Sequence, residues 1–277
     1  MTPPRTLDKM VDILLPYWGD LNLAKQTINS VFSQTSDNWH LTILDDHYDS
    51  KEAIAYFKSL DSSRVTYIRH PENIGITNNF NACIEAATAE YCMILGCDDI
   101  LLPNYVEQAL QNVGTADFYQ PNVEIIDKDS QVCLPLADKV KRLLAPKKSS
   151  YYAGEKLATS LCHGNWLYFP SILWKTETLK KYRFDAKYKI VEDMVVELQM
   201  IIDGATLYVD RGNPTFQYRR FAESLSSKEK GRGGVRFGEE AAAYTEFAQK
   251  FNEIGWKKAA RAAKLRITSR LHALTSK

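Results

Sequence analysis

Residues 91–102 read YCMILGCDDILL, a run of apolar residues that ends abruptly in two adjacent carboxylates, Asp98 and Asp99. Charged side chains are seldom buried unless they are paired or bind a metal, so two acids at the mouth of a core strand need a reason. If 91–95 is a central strand of an open α/β sheet, both acids stand beyond its carboxyl end, where such sheets bind ligands. Hard oxygen ligands suit magnesium or manganese, which in turn bridge phosphate oxygens. The same acids equally suit the cap of a helix beginning near Pro103.

Similar short runs precede this one. Strands are expected at 11–15 (VDILL), 40–44 (HLTIL) and 64–68 (RVTYI), with helices near 21–34, 51–60 and 76–88. Alternation of strand and helix implies consecutive βαβ units and four parallel strands. Right-handed crossovers cover both faces and leave the loops after each strand on one rim. Those loops hold Pro16 and Tyr17, then Asp45 and Asp46, then Asn73 and Gly75, then Asp98 and Asp99. After residue 115 the alternation ends. Extended segments are expected at 117–126, 166–174, 205–209 and 214–219, a polar loop at 138–150 and a helix at 192–203. A glycine-rich loop at 224–238 carries Lys228, Lys230, Arg232 and Arg236.

A chain of 277 residues with 45% hydrophobic content can bury a substantial core. Its net charge of +1 gives no case for nucleic-acid binding. The charge is uneven: residues 255–277 hold seven of the 35 basic residues and no acid, leaving 28 basic against 34 acidic groups elsewhere. Five cysteines without C-x-x-C spacing suit a reducing cytoplasm. No N-terminal segment resembles a signal peptide, and no run nears the roughly 20 apolar residues that cross a bilayer. The expected location is the cytoplasm, with the inner face of the plasma membrane reached peripherally. In the tail, Ala260, Ala263, Ile267, Leu271 and Leu274 recur at helical spacing beside basic residues. Such a helix either lies on an anionic leaflet or packs on the body or on a second subunit.

Several residues suit more than one role. Asp46 stands where a carboxylate can accept from a nucleobase or ribose, and its neighbours also make good turn sequence. Asn73 to Asn79 open a helix whose free N–H groups can hold phosphate, while caps favour the same residues. Glu192 and Asp193 begin a helix, where acids are favoured by the dipole whether or not they react. One carboxylate near an attacking hydroxyl suffices as general base for a single displacement.

Six stretches in order, VDILLPYWG, LTILDDHYDS, HPENIGITNNFNACIEAA, YCMILGCDDILLPNY, FDAKY with VEDMVVELQM, and QYRRFAESLS, resemble the family 2 glycosyltransferases over about residues 10–226. The resemblance implies an α/β GT-A fold, a Rossmann-like and mainly parallel central sheet flanked by helices, with a C-terminal helical extension. Residues 1–226 would be the transferase domain, with 1–115 its nucleotide-sugar half and 116–226 its acceptor half. Residues 227–277 would be a loop and a basic helical region. Family members move a sugar from a nucleoside diphosphate sugar to an acceptor hydroxyl, usually with inversion and with Mn2+ or Mg2+; the acceptor expected here is a saccharide or a lipid-linked one, in bacterial surface polysaccharide synthesis.

By the same resemblance, donor contacts fall to Pro16, Tyr17, Asp46, Asn73, Gly75, Asn79, Asp98, Arg219 and Arg220, metal ligation to Asp98 and Asp99, and acceptor contacts to His163 and Trp166. Asp193 is the implied base, with Glu192 orienting the acceptor or bracing the helix. Two departures stand out: Gly96 occupies the place of the first acid in the longer metal motif, and Phe221 that of a histidine. They keep open an inactive nucleotide-sugar-binding protein. A sugar nucleotidyltransferase is a further alternative, though LLPYWGDLN lacks the basic glycine-rich phosphate loop it needs.

Overall fold

The computed structural model describes residues 9–60, 63–221 and 235–265. β1 (Val11–Tyr17) is buried along almost its whole length, as a strand covered on both faces must be. It pairs in parallel with β2 (Trp39–Asp45) and with β4 (Tyr91–Ile94), and β2 pairs in parallel with β3 (Val65–Arg69). The crossovers are α1 (Leu21–Phe32), α2 (Lys51–Ser59) and α3 (Ile76–Ala86). Asp20 caps α1 by accepting from the N–H groups of Asn22 and Leu23, and the Ser50 side chain caps α2 by accepting from Ala53 N–H.

The eight-stranded sheet continues past β4 with β9 (Leu173–Lys175), β6 (Phe118–Gln120), β10 (Thr206–Val209) and β8 (Ser150–Ala153). Here the sheet is mixed: β9 runs antiparallel to both β4 and β6. A second sheet of three strands joins β5 (Ile100–Leu101), β11 (Phe216–Arg219) and β7 (Val123–Ile126). It brings residues 216–219 beside the turn that follows β4. α4 (Tyr105–Asn112) comes next, and Asn104 stands at its N-cap. Neither Asp98 nor Asp99 caps that helix, since β5 lies between.

The sheet separates two apolar clusters. One holds Ile13, Leu15, Ile28, Phe57 and Tyr105, while the other holds Leu14, Ile84, Trp174, Leu198 and Phe247. Adjacent residues of β1 thus serve opposite faces. α6 (Gly154–His163), α8 (Glu192–Ile202), α9 (Val235–Glu253) and α10 (Lys257–Leu265) contribute to the second cluster.

The segment 138–150, expected as a polar loop, is α5 (Leu136–Leu144) and the start of β8. Residues 224–234 of the expected glycine-rich loop, with Lys228, Lys230 and Arg232, lie outside the described residues, and 235–238 already belong to α9. Ile267, Leu271 and Leu274 also lie outside them. The described part of the tail packs on the body: Ala259, Ala260, Ala262 and Ala263 of α10 are buried against α6 and α9. No helix among the described residues is long and apolar enough to cross a membrane.

Candidate active site

Asp46 follows β2. Its N–H donates to the Tyr17 carbonyl at 3.1 Å, and its carboxylate turns onto the start of α3. Ile74 N–H donates to Oδ1 at 2.7 Å, Gly75 N–H to Oδ2 at 3.0 Å, and Asn73 Nδ2 to the Asp46 carbonyl at 3.2 Å. The N–H groups that lead into a helix attract an anion, and here Asp46 is the anion. Two sites expected to be separate, an acid for the base and a helix start for phosphate, are partners of each other. Gly75 has φ 81° with nothing within 4 Å of where its Cβ would stand, so glycine serves the left-handed backbone rather than a close approach.

Three expected donor contacts face the frame instead. Asn79 is buried, donates from Nδ2 to the Leu44 carbonyl at 3.1 Å and meets His70 Nε2 through Oδ1 at 3.0 Å. Tyr17 is buried, its hydroxyl on the Gly19 carbonyl and its ring edge-on to Tyr48 and Phe57. Pro16 sits in the β1–β2 ladder opposite Leu44. The aromatic surface open to solvent is Trp18, 53% exposed, whose ring meets Tyr48 edge-on and whose carbonyl accepts from Cys97 Sγ. In PYWG the sequence shows only a tryptophan directly after a strand, and its exposure is decided by the fold.

The turn after β4 folds both carboxylates back over Gly96. A Cβ there would stand 2.6 Å from Asp99 Oδ2 and 3.1 Å from Asp98 Oδ1. Glycine leaves the room in which the two oxygens converge, and a side chain at 96 would require the two carboxylates to shift. Burial pushes the Asp98 carboxyl up, and pushes Asp99 well above the usual range with the Asp98 charge adding to it. Arg219 and Arg220 favour the charged forms only in part, so further positive charge would be needed to ionise both acids. They therefore fit a divalent metal that takes two carboxylates and completes its shell from substrate phosphate and water. Among the described residues no group of three or more His, Cys, Asp or Glu is placed to hold a metal ion.

Arg219 lies under this turn. Its N–H donates to Asp99 Oδ1 at 2.8 Å, and its guanidinium donates to the carbonyls of Asp98 and Asp127, to Ser130 Oγ and to Gln26 Oε1. That full set of partners leaves it positioning the acids rather than reaching for phosphate. Arg220, on the opposite side of the chain, grips Asp138 of α5 with Nε at 3.1 Å and a terminal nitrogen at 2.8 Å, and the Tyr168 hydroxyl donates to the same carboxylate at 2.9 Å. Asp138 has no exposed side-chain surface. Replacing Arg220 with methionine is expected to cost about 3 kcal/mol of stability, because it strands a buried charge. Urea unfolding checks this, and adding Asp138→Asn should restore most of the loss.

Across the crevice, Glu192 and Asp193 form the first turn of α8. Thr77 Oγ1 of α3 donates to Glu192 Oε2 at 2.8 Å, tying this turn to the Asp46 loop. Asp193 is half-buried, and its Oδ1 accepts from Met194 N–H at 2.8 Å. The Tyr218 hydroxyl, pushed up to about 12 chiefly by burial, is further raised by Asp99, Asp98 and Asp193 together. Acids from 98–99 and from 193 thus all lie within electrostatic reach of one hydroxyl.

Burial, with Asp193 and Glu239 adding to it, pushes the Glu192 carboxyl up to about 7. Between its ordinary 4.5 and 7 the unfolded chain releases this proton first. Stability present below 4.5 therefore falls as pH rises to 7, by up to about 3 kcal/mol. Glu192→Gln is expected to flatten that decline in Tm measured from pH 4.5 to 8.

Beyond Tyr218 lies a cavity of about 500 Å³, its wall including Trp166, Tyr168, Lys141, Arg142 and Arg211. His163, at the end of α6, is not among its lining residues. Trp166 is buried, with Nε1 donating to Ser160 Oγ. Lys141 donates to the Leu167 carbonyl at 2.6 Å, and burial pushes it down to about 8. Glu197, one turn after Asp193, is fully buried; Asn165 donates to its Oε2, and its Oε1 has no partner among the described residues. Asp138, Lys141 and Glu197 were invisible as site residues because each sits where the sequence reads as loop or core.

Known proteins share this arrangement of chain. An S. aureus TarS structure in complex with UDP-GlcNAc superposes with a TM-score of 0.69 at 11% identity, covering 96% of this chain and 79% of that one. The mannosyltransferase PcManGT of Pyrobaculum calidifontis, in complex with GDP-Man and Mn2+, gives 0.66 at 12% identity, covering 98% and 74%. Both likenesses are of the GT-A fold. In sequence, the Escherichia coli UDP-Glc:alpha-D-GlcNAc-diphosphoundecaprenol beta-1,3-glucosyltransferase WfgD is 26% identical over 224 residues, 79% of this chain and 81% of its own length. The chain spans just over half the length of some other curated relatives, 54% and 57% in two of them. The profile of glycosyl transferase family 2 matches residues 12–176, more than half of the sequence, and the chain belongs to that family.

Proposed function

We propose that this chain transfers a sugar, with inversion, from a nucleoside diphosphate sugar to a hydroxyl of a saccharide or lipid-linked acceptor, in bacterial cell-surface polysaccharide synthesis. The observation that carries the reading is that Asp98, Asp99 and Asp193, from distant parts of the chain, all act on the Tyr218 hydroxyl. The named acceptor of WfgD supports a diphosphate-linked lipid in particular. The reaction belongs at the inner face of the plasma membrane.

In this reading residues 1–115 bind the donor. Trp18 stacks on the nucleobase, and Asp46, buried on the N–H groups of Ile74 and Gly75, orders the loop 73–75 around base and ribose. Asp98 and Asp99 hold Mn2+ or Mg2+, which when bound neutralises the departing diphosphate. Residues 116–226 receive the acceptor in the cavity lined by Trp166. Asp193 takes the proton of the attacking hydroxyl, and one carboxylate is enough because no covalent intermediate forms. Glu192, held by Thr77, stays largely protonated below pH 7 and donates a hydrogen bond that orients the acceptor. Of residues 227–277, the described stretch 235–265 buttresses the acceptor half.

Thermal stabilisation by a panel of nucleotide sugars, with and without manganese, identifies the donor. Transfer of the stabilising sugar to a diphosphate-linked acceptor then tests the reaction. Tight donor binding with no turnover on any acceptor would replace this reading with that of a nucleotide-sugar-binding protein.

A further inference from the structure

α5 is turned inside out relative to an ordinary surface helix. Its inward face carries charge: Asp138 is buried on Arg220 and Tyr168, and Lys141 reaches the Leu167 carbonyl over the Tyr168 ring. Its outward face carries leucine: Leu136 is 75% exposed and Leu143 73%. At 3.6 residues per turn these two lie on one stripe with Val140 between them. The segment leading into α5 adds Val132, 63% exposed, and Leu134. Exposed apolar side chains grouped in this way mark an interaction surface rather than scattered solvent contacts.

Along α5 the exposed charge has one sign, although the hairpin sets Asp127 and Asp129, the latter paired with Lys128, near Val132. Between Val132 and Lys148 the single acid is the buried Asp138, while Lys139, Arg142, Lys147 and Lys148 are all exposed. An apolar ridge bordered by cations complements an anionic bilayer surface, where leucines enter the acyl boundary and lysines meet phosphates. A second copy of this chain fits poorly, because a twofold contact would set the four cations against themselves. We propose that the outward face of α5, with Val132 and Leu134, docks this protein on an anionic lipid leaflet.

The position has a consequence for access. The inward face of the same helix, through Lys141, and its last turn, through Arg142, line the cavity beside Trp166. Docking therefore holds the cavity mouth at headgroup height, where a lipid-borne diphosphate acceptor would be presented. That consequence rests on the glycosyl-transfer reading, whereas the docking itself does not. It also moves the membrane contact from the C-terminal helix, whose described apolar face is buried, to the acceptor half.

Co-sedimentation of the full chain with phosphatidylcholine vesicles, with and without phosphatidylglycerol, measures docking without donor or acceptor. Binding is expected to need phosphatidylglycerol and to weaken with salt. Leu136→Glu/Leu143→Glu should weaken it at least roughly tenfold, and Lys139→Glu should weaken it less. Thermal unfolding should be unchanged in both variants, since these side chains are exposed. No phosphatidylglycerol-dependent binding, or equal binding by the double variant, overturns the proposal. So does a concentration-dependent dimer that the double variant abolishes while vesicles bind neither protein. Transfer to a soluble saccharide in vesicle-free buffer should be equal in wild type and variant; its absence in both would count against the transferase reading and leave the docking result standing.

Discussion

Asp193→Asn is expected to lower the turnover of sugar transfer by about 10²- to 10⁴-fold, the range a positioned general base contributes. The substitution keeps the shape of the side chain and an oxygen for the Met194 N–H that now donates to Oδ1. It removes the ability to take a proton. A purely structural role at the N-terminus of α8 would give a different result: losing a negative charge there costs only about 0.3–1 kcal/mol of stability and leaves turnover near normal. Turnover at saturating donor, together with Tm, separates the two. Donor-induced stabilisation should survive, because Asp193 stands on the acceptor side. A variant that transfers within a few-fold of wild type would end its assignment as base.

Asp98→Asn carries the second large expectation, a loss of about 10²- to 10³-fold in metal-stimulated transfer, comparable to removing one preorganised electrostatic contact from a leaving group. It should also shift the manganese response to higher concentration. Without metal the same change is expected to raise Tm, because Asp99 is buried and the neighbouring Asp98 charge works against its ionisation. Opposite signs for activity and metal-free stability are the signature of an acid pair held for a cation. Measurements with chelator and across a manganese series check both. An unaltered metal response in the variant would remove the cation from this turn.

Much of the donor half was legible because parallel strands covered on both faces appear as continuous apolar runs. The strands at 11–15, 40–44, 64–68 and 91–95 lie where expected to within a residue or two, and so do the helices between them. α5 was misread as a loop for a physical reason. Leu136 and Leu143 face out, Asp138 and Lys141 face in, and Leu144 alone of its leucines packs on the core, so charge stands where a core-facing stripe is expected. Arg219 and Arg220 looked interchangeable in QYRRF, yet consecutive residues of an extended strand point to opposite sides. One is committed to the acid turn and the other to Asp138. Gly96 looked like a lost ligand, and the convergence of two carboxylate oxygens over it explains the glycine.

By itself the sequence determined where the first four parallel strands lie along the chain and the placing of Asp46, Asp98 and Asp99 after them, because apolar periodicity is a local property that survives without knowledge of partners. Tertiary structure alone decided which acids share a space, which polar groups are already satisfied and which face of α5 meets solvent. Those outcomes depend on contacts such as Thr77 to Glu192 and Arg219 to Asp99, 115 and 120 residues apart along the chain. A side chain's charge state and free lone pairs are set by what surrounds it in space, and no window of neighbouring residues contains that information.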